Sequence, residues 1–114
     1  MPTGKYPGFE LRYFPRDWRG MRALKLLIVN PDAALTEITV RIDDAEYRSR
    51  LDDRYNRSFP LSRGINRIEI PLTDVAAAPH NRRFNLGRVH TLLVYAVDLE
   101  QPRDIMIGPI VLLR

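Results

Sequence analysis

Apolar and polar residues alternate along segment 36–43, which reads TEITVRID. Ile38, Val40 and Ile42 occupy every second position, with Thr39 and Arg41 between them. Because successive side chains of an extended strand point to opposite faces, this pattern predicts a strand with one buried and one polar side. The same period returns in segment 66–72. No segment shows a convincing helical period, so we expect an all-β protein.

Further strand signals recur at short intervals. Segment 23–30 (ALKLLIVN) is nearly continuously apolar and ends at the turn signal Asn30-Pro31-Asp32. It therefore predicts a central strand that is buried on both faces. The remaining predicted strands are 9–14, 55–61, 91–97 and 104–113.

Two short helical turns fit between the later strands, one capped by Thr73 or Asp74 and one capped by Asn85. About seven strands at this spacing predict an antiparallel β-sandwich of the jelly-roll type. The chain of 114 residues has the length of one domain. We expect residues 1–114 to be a single β-sandwich domain excised from a larger protein.

The composition removes several classes of chemistry. The chain has no cysteine, which excludes disulfides, thiolate nucleophiles and cysteine-ligated zinc. No apolar run reaches about 18 residues, and the first eight residues lack the apolar core of a signal peptide. We therefore expect membrane association only through a parent protein; the sequence leaves the cellular compartment open.

The charge distribution argues against a nucleic-acid partner. The net charge is +4, and sixteen of the eighteen basic residues are arginine. Acidic residues are interleaved with them, as in Arg41-Ile42-Asp43-Asp44, so no long run of one sign follows the chain. We predict surface ion pairs and no nucleic-acid binding.

Catalytic motifs are also missing. His80 and His90 stand apart from other metal ligands, and no serine lies in a Gly-x-Ser-x-Gly frame. The remaining candidates are the carboxylates Asp43, Asp44, Asp52 and Asp53. Neighbouring arginines would hold them ionised, which disfavours a general acid, and their spacing does not wrap a calcium ion. We predict no enzyme, no catalytic residue, no cofactor and no metal.

The polar positions of two neighbouring strands share one sheet face in this interpretation. With Ile42 inside, Arg41 and Asp43 point outward; with Phe59 inside, Arg54 and Asn56 do so. Strict alternation places Arg57 on the core side, which a bulge or a late strand start would resolve.

Aromatic residues near this face could stack on a sugar ring. The candidates are Tyr47, Tyr55, Tyr95 and Trp18. Trp18 fits the core better, and the parity of Tyr95 leaves its side undecided. The carboxylates of the segment DDR (52–54) could instead pair with Arg54 and Arg57 across a hairpin.

Three segments together resemble the galactose-binding-like jelly rolls, a superfamily that includes many carbohydrate-binding modules. They are DWRGMRALKLLIVNP (17–31), TVRIDDAEY (39–47) and DDRYNRSFPLSRGINRIEIPLTDV (52–75). The likeness is strongest to a domain appended to VanZ-like bacterial membrane proteins, and it extends from about residue 13 to 112.

The resemblance implies a non-catalytic module that presents polar and aromatic side chains to a saccharide. It also implies that the parent is a bacterial inner-membrane protein. Many relatives bind a structural calcium with an acidic residue early in the fold and Asp or Asn in the last strand, where this chain has Gly108-Pro109, so we expect no calcium. The predicted ligand-binding residues are Arg41, Asp43, Asp44, Tyr47, Asp53, Arg54, Asn56 and Tyr95. The alternative is a protein-interaction or scaffolding sandwich without a sugar ligand.

Overall fold

The computed structural model describes residues 8–11, 14–31, 37–47, 53–80, 82–95, 106–108 and 110–114. Within these ranges the chain forms eight strands and one short helix. In chain order they are β1 (Gly8–Leu11), β2 (Ala23–Asn30), β3 (Glu37–Asp44), β4 (Tyr55–Pro60), β5 (Gly64–Pro71), α1 (Leu72–Ala77), β6 (Val89–Tyr95), β7 (Met106–Ile107) and β8 (Val111–Leu113).

The strands form two antiparallel sheets that enclose one core. Sheet A has the order β1-β6-β3-β4, so β1 and β4 are its outer strands. Sheet B has the order β5-β2-β7. Strand β7 pairs with the end of β2 at Ile28 and Val29, and β8 pairs with the start of β2 at residues 23–25. The prediction of an all-β antiparallel sandwich is confirmed.

The core comes from the inward positions of both sheets. Ile38, Val40 and Ile42 are almost completely buried, as the alternation of β3 predicted. On β2 the inward residues are Leu24, Leu26 and Ile28. The outward positions of β2 are not covered: Lys25 is exposed, whereas Leu27 and Val29 are half-buried. The prediction that β2 is central is confirmed, but the prediction that both of its faces are buried is wrong.

The aromatic residue Trp18 belongs to this core. It is 1% exposed, and its indole Nε1 donates to the carbonyl of Pro15 at 2.6 Å. Its backbone N–H bonds the carbonyl of Leu86, so the segment before β2 is tied to the segment before β6. Trp18 is therefore a packing residue and cannot serve as a sugar platform.

The helical predictions need correction. Helix α1 begins at Leu72 with Pro71 as its N-cap, so neither Thr73 nor Asp74 caps it. The apolar residues Leu72, Val75 and Ala76 explain its position, because all three are buried.

The segment after Asn85 forms a turn in place of a helix. The Asn85 side chain accepts a hydrogen bond from the Gly87 backbone at 3.1 Å, and the Arg88 N–H bonds the Asn85 carbonyl. An asparagine side chain offers the backbone this alternative to helix formation.

Strand β4 pairs with β3 without a bulge. Its register against β3 is continuous from Glu37↔Pro60 to Ile42↔Tyr55, and it places Arg57 opposite the inward residue Val40. Because β4 lies at the edge of sheet A, the Arg57 side chain reaches solvent from an inward position and approaches Asp74 of α1 at 3.8 Å. The bulge expected from the sequence is therefore unnecessary.

The boundaries of the outer strands differ from the predictions. Strand β1 ends at Leu11, and the predicted strand 104–113 is divided into β7 and β8. The end of the predicted strand 91–97 and the residues Asp32 and Asp52 lie outside the described ranges. Among the described residues, no helix is long and apolar enough to span a lipid bilayer.

We expect Ile42→Ala to lower the free energy of unfolding by about 2–5 kcal/mol, because it opens a cavity between the sheets. The matched control is Ile65→Ala on β5, where the side chain is 59% exposed; its cost should stay below about 1 kcal/mol. Urea denaturation at neutral pH measures both. Equal losses for the two variants would contradict the assignment of the core.

Candidate functional site

The outward positions of β3 and β4, with Tyr95 of β6, form a largely polar face on sheet A, in which the apolar Leu93 of β6 lies opposite Arg41. Arg41 of β3 lies opposite Asn56 of β4, and Thr39 lies between Ser58 of β4 and Tyr95 of β6. We call this surface the polar face and define it by Thr39, Arg41, Asp43, Tyr47, Arg54, Asn56, Ser58 and Tyr95. Six of the eight predicted ligand-binding residues meet here, and Tyr95, whose side the sequence left undecided, points outward.

Arg41 and Asp43 form a fixed pair on this face. Two positions apart on one strand, they point the same way, and Arg41 donates from Nε to Oδ1 at 3.1 Å and from Nη2 to Oδ2 at 2.9 Å. The Asp43 side chain is almost fully buried, whereas that of Arg41 is about a quarter exposed. The hydrogen bond to Asp43 raises the pKa of Arg41, against the opposing effect of burial. The guanidinium is therefore a charged, oriented group.

Tyr47 lies between two arginines at the end of β3. The Arg41 guanidinium carbon is 5.2 Å from the Tyr47 ring centroid, and that of Arg54 is 5.9 Å away. Arg54 Nη1 also donates to Tyr47 Oη at 2.9 Å. These cation–π contacts and the hydrogen bond hold the half-buried ring in place on the polar face.

The strands β4 and β6 meet the polar face from opposite sides of β3. Tyr95 Oη approaches Asn56 Oδ1 at 3.4 Å, across β3. Thr39 Oγ1 and Ser58 Oγ are 2.9 Å apart. Asn56 is exposed and Tyr95 is half-buried, so both retain surface for a ligand.

The other two predicted site residues, Asp44 and Asp53, do not lie on the polar face. Both are bound by Arg82, and we call these three residues the Arg82 cluster. Arg82 donates to both oxygens of Asp44, at 2.7 and 2.9 Å, and from Nε to Asp53 Oδ1 at 2.7 Å. The Asp44 side chain is 0% exposed and that of Arg82 is 18% exposed.

Backbone donors complete the environment of Asp44. It accepts from the N–H of Asn85 at 2.7 Å and from the N–H of Glu46 at 3.2 Å. The register of β3 against β6 shifts between Asp43 and Asp44. Asp44 therefore lies at the irregular end of β3, and its side chain points inward. An inward carboxylate requires this many partners, because an unpaired buried charge is costly.

The pKa of Asp44 follows from these contacts. Burial pushes it upward, but the hydrogen bonds from Arg82 and the Asn85 backbone, with the positive charge of Arg82, outweigh burial. The pKa of Asp44 therefore lies below its ordinary value of 3.8. The arginine that favours the ionised form is the distant Arg82 and not one of the neighbouring arginines expected from the sequence.

The sequence did not identify Arg82 as the partner. Arg82 is 38 positions from Asp44 and 29 positions from Asp53, so no local spacing links them. The suggestion that the carboxylates of segment 52–54 pair with neighbouring arginines is corrected for Asp53, whose described ion pair is with Arg82. His90 is exposed on β6, and its Nδ1 is 2.9 Å from Thr91 Oγ1.

Metal ligands do not converge in the described ranges. No group of three or more acidic or histidine side chains comes together there. Asp44 and Asp53, the two acidic residues that approach a common point, share Arg82 instead.

The outer face of sheet B contrasts with the polar face. Its apolar side chains are Leu27, Val29, Ile65, Val111 and Leu113. Ile65 and Val111 are exposed, and Lys25 and Arg67 lie beside them. The molecule therefore presents one polar and one largely apolar sheet surface.

We expect Arg82→Met to lower the free energy of unfolding by about 3–5 kcal/mol, because it leaves Asp44 buried without its countercharge. Arg83→Met is the matched control, since the neighbouring Arg83 is exposed; its effect should stay within about 0.5 kcal/mol. Chemical denaturation at pH 7 compares the two. A loss of less than about 1 kcal/mol in the free energy of unfolding for Arg82→Met would show that the Arg82 cluster does not stabilise the fold.

The lowered pKa of Asp44 also predicts that the stability of the protein depends on pH. Its folded pKa lies below the unfolded value of about 3.9, so its stabilising contribution is complete above that pH. The contribution is lost as the pH falls through the lower, folded value. Denaturation at pH 7, 5, 4 and 3 should therefore show a shallower acid decline for Asp44→Asn than for the unmodified protein. Parallel declines would contradict this reading of Asp44.

No family model, no curated protein and no solved structure matches the chain. The resemblance to galactose-binding-like jelly rolls therefore stays a prediction.

Proposed function

We propose that the protein is a non-catalytic carbohydrate-binding module and that the polar face of sheet A receives the saccharide. The observation that carries this proposal is the array of Arg41, Asn56 and Tyr95 on three adjacent strands, next to the ring of Tyr47. Oriented polar groups and aromatic rings occur together there on one rigid sheet.

The polar groups match the hydroxyls of a sugar. A hydroxyl needs both donors and acceptors, and the exposed Asn56 amide offers both. The Arg41 fork is held by Asp43, so little conformational entropy is lost when it donates to a ligand.

The aromatic groups match the apolar face of a sugar ring. Tyr95 is half-buried at the end of β6 and is oriented by its contact with Asn56. Tyr47 is held by Arg41 and Arg54, which lie over its ring, so Tyr95 is the ring that offers stacking surface. A ring that is already held in place supplies contact area at a small entropic cost.

The absence of catalysis in this proposal is supported by the state of the carboxylates. Glycoside hydrolysis uses one carboxyl group that is protonated at working pH. Asp44 is held ionised by Arg82, and Asp43 is bound by Arg41, so neither suits the role of general acid.

A galactose-binding-like jelly roll is the finer form of the fold that we propose. Strands β2 and β3 follow each other in the chain but lie in different sheets, and β3 pairs with the distant β6. Such exchanges between sheets are typical of sandwiches with Greek-key connections. The three segments that carry the resemblance contain β2, most of β3, and β4 with β5.

A protein-interaction module is the second candidate, and the outer face of sheet B favours it. Ile65 and Val111 are 59% and 43% exposed beside Lys25 and Arg67. This surface suits a protein partner with an apolar centre, because its exposed side chains are mainly apolar.

An amide NMR titration with neutral and acidic oligosaccharides and peptidoglycan fragments tests the first candidate. We expect saturable shifts on the polar face with a dissociation constant of about 10⁻³ to 10⁻⁶ M, or about 4 to 8 kcal/mol. Tyr95→Ala should weaken binding about threefold to tenfold through loss of the stacking ring.

Ile65→Ala is the control for this titration, since it removes an exposed side chain on the other sheet. It should leave saccharide binding unchanged. An absence of shifts at tens of millimolar ligand would reject the saccharide proposal for that panel and would favour the protein-interaction candidate.

A further inference from the structure

A cavity opens on the outer side of sheet A, where β1 ends beside β6. Its volume is about 410 Å³, which is within the range of small-ligand sites. We call it the bulge cavity; its polar lining residues are Glu10, Arg16, Arg88, His90 and Thr91. None of these residues belongs to the polar face defined above, so the bulge cavity is a separate feature of the same sheet.

A β-bulge in β6 lies in the lining of this cavity. Thr91 lies opposite Asp43, and Val89 lies opposite Asp44. His90 is therefore an extra residue on β6, and its side chain is exposed. Bulges redirect side chains and are over-represented beside functional sites. The position of the bulge therefore supports a binding role for the cavity.

The bulge cavity and the polar face lie on the same side of sheet A. Glu10 of β1 lies opposite Leu93, and Leu93 lies opposite Arg41 of the polar face. Thr91 lies opposite Asp43 of that face. Residues directly opposite each other in an antiparallel pair point to the same side of the sheet. A ligand on the polar face can therefore extend into the cavity without passing around an edge of the sheet.

The outward residues of β6 connect the polar face with the bulge cavity. Tyr95, Leu93 and Thr91 alternate along the strand, and all three are half-buried. At about 3.4 Å per residue, Tyr95 and Thr91 are about 13 Å apart along β6. This distance exceeds one sugar ring, so a saccharide that reaches from the Tyr95 ring to the cavity is an oligosaccharide. The apolar Leu93 between them suits the C–H surface of a sugar ring.

The lining of the bulge cavity carries more positive than negative charge, because Arg16 and Arg88 are positive and Glu10 is negative. The Arg16 guanidinium is held by two contacts: Nη1 donates to the carbonyl of His90, and its central carbon is 4.0 Å from the centroid of the Phe14 ring. Arg88 is exposed, and its side chain has no hydrogen bond or ion pair with the described residues. A fixed arginine and an unpaired arginine together suit an anionic group.

We propose that the bulge cavity is a second subsite of the saccharide site and that it binds an anionic substituent of an oligosaccharide. This inference rests on the proposed function. Arg16 and Arg88 supply the positive charge, and the Thr91 hydroxyl supplies a further hydrogen bond. A singly charged group fits best, because Glu10 would repel a second negative charge. The carboxylate of a uronic acid and a sulfate ester share this chemistry.

Calorimetric titration with three trisaccharides tests the subsite. They are a trimer of galactose, a trimer of galacturonic acid, and a trimer of galactose that carries one sulfate ester. We expect an acidic trimer to bind about fivefold more tightly than the neutral trimer at low salt. The trimer that does so assigns the substituent as a carboxylate or as a sulfate ester. The amides of Ala45 and Thr91 should shift when that trimer is added in an NMR titration.

Arg88→Gln removes the unpaired charge from the cavity. It should weaken binding of the acidic trimer about fivefold and leave binding of the neutral trimer unchanged. The melting temperature should not fall, because the Arg88 side chain has no partner among the described residues. Arg83→Gln is the matched control, since it makes the same change of net charge at an exposed arginine that does not line the cavity. It should keep the preference for the acidic trimer.

Glu10→Gln supplies a change in the opposite direction. Removal of the competing carboxylate should strengthen binding of the acidic trimer about threefold. A gain in affinity cannot result from partial unfolding. Glu69→Gln, at an exposed position of β5 on the other sheet, is the control for the change of charge and should leave the affinities unchanged.

The outcomes separate this inference from the proposed function. Equal binding of all three trimers would overturn the anionic subsite, and binding of the neutral trimer on the polar face would still support the saccharide proposal. Equal weakening of the acidic trimer by Arg83→Gln and Arg88→Gln would also overturn the subsite alone. If none of the three trimers binds, both proposals are overturned.

Discussion

The buried carboxylate of Asp44 is the constraint on which this end of the sandwich depends. It lies at the inward, irregular end of β3, where a charge needs a full set of partners. Arg82 supplies the countercharge and binds Asp53 as well. One guanidinium thereby joins the end of β3, the segment before β4 and the connection between α1 and β6. These contacts also position the polar residues that follow Asp44 and Asp53 in the chain.

The polar face adjoins the Arg82 cluster. Asp44 accepts from the N–H of Glu46 and so shapes the turn that brings Tyr47 onto the polar face. Asp53 directly precedes Arg54, which donates to Tyr47 on that face. Loss of Arg82 should therefore disturb the polar face, although Arg82 itself does not lie on it. Binding measurements on Arg82 variants report mainly on structure.

The two sheets expose different chemistry, and this difference frames the two candidate functions. Sheet A turns fixed hydrogen-bonding groups and tyrosines outward, whereas sheet B turns Ile65 and Val111 outward. Exposed apolar residues are ordinary when single, but several on one sheet face indicate a contact surface. A sandwich can use both faces at once, so saccharide binding and attachment to a protein partner are physically compatible.

The sequence by itself determined the fold class, the inward residues of β3 and the common face of Arg41, Asp43 and Asn56, because a strand has a period of two. It also indicated that arginine holds the acidic residues ionised. Only the tertiary structure decided that Arg82 is the partner of Asp44, since contacts across 38 positions leave no local pattern. Only the pairing of strands made β4 an edge, which exposes Arg57 from an inward position. Side-chain periodicity is local, whereas burial and partnership depend on which distant segments meet.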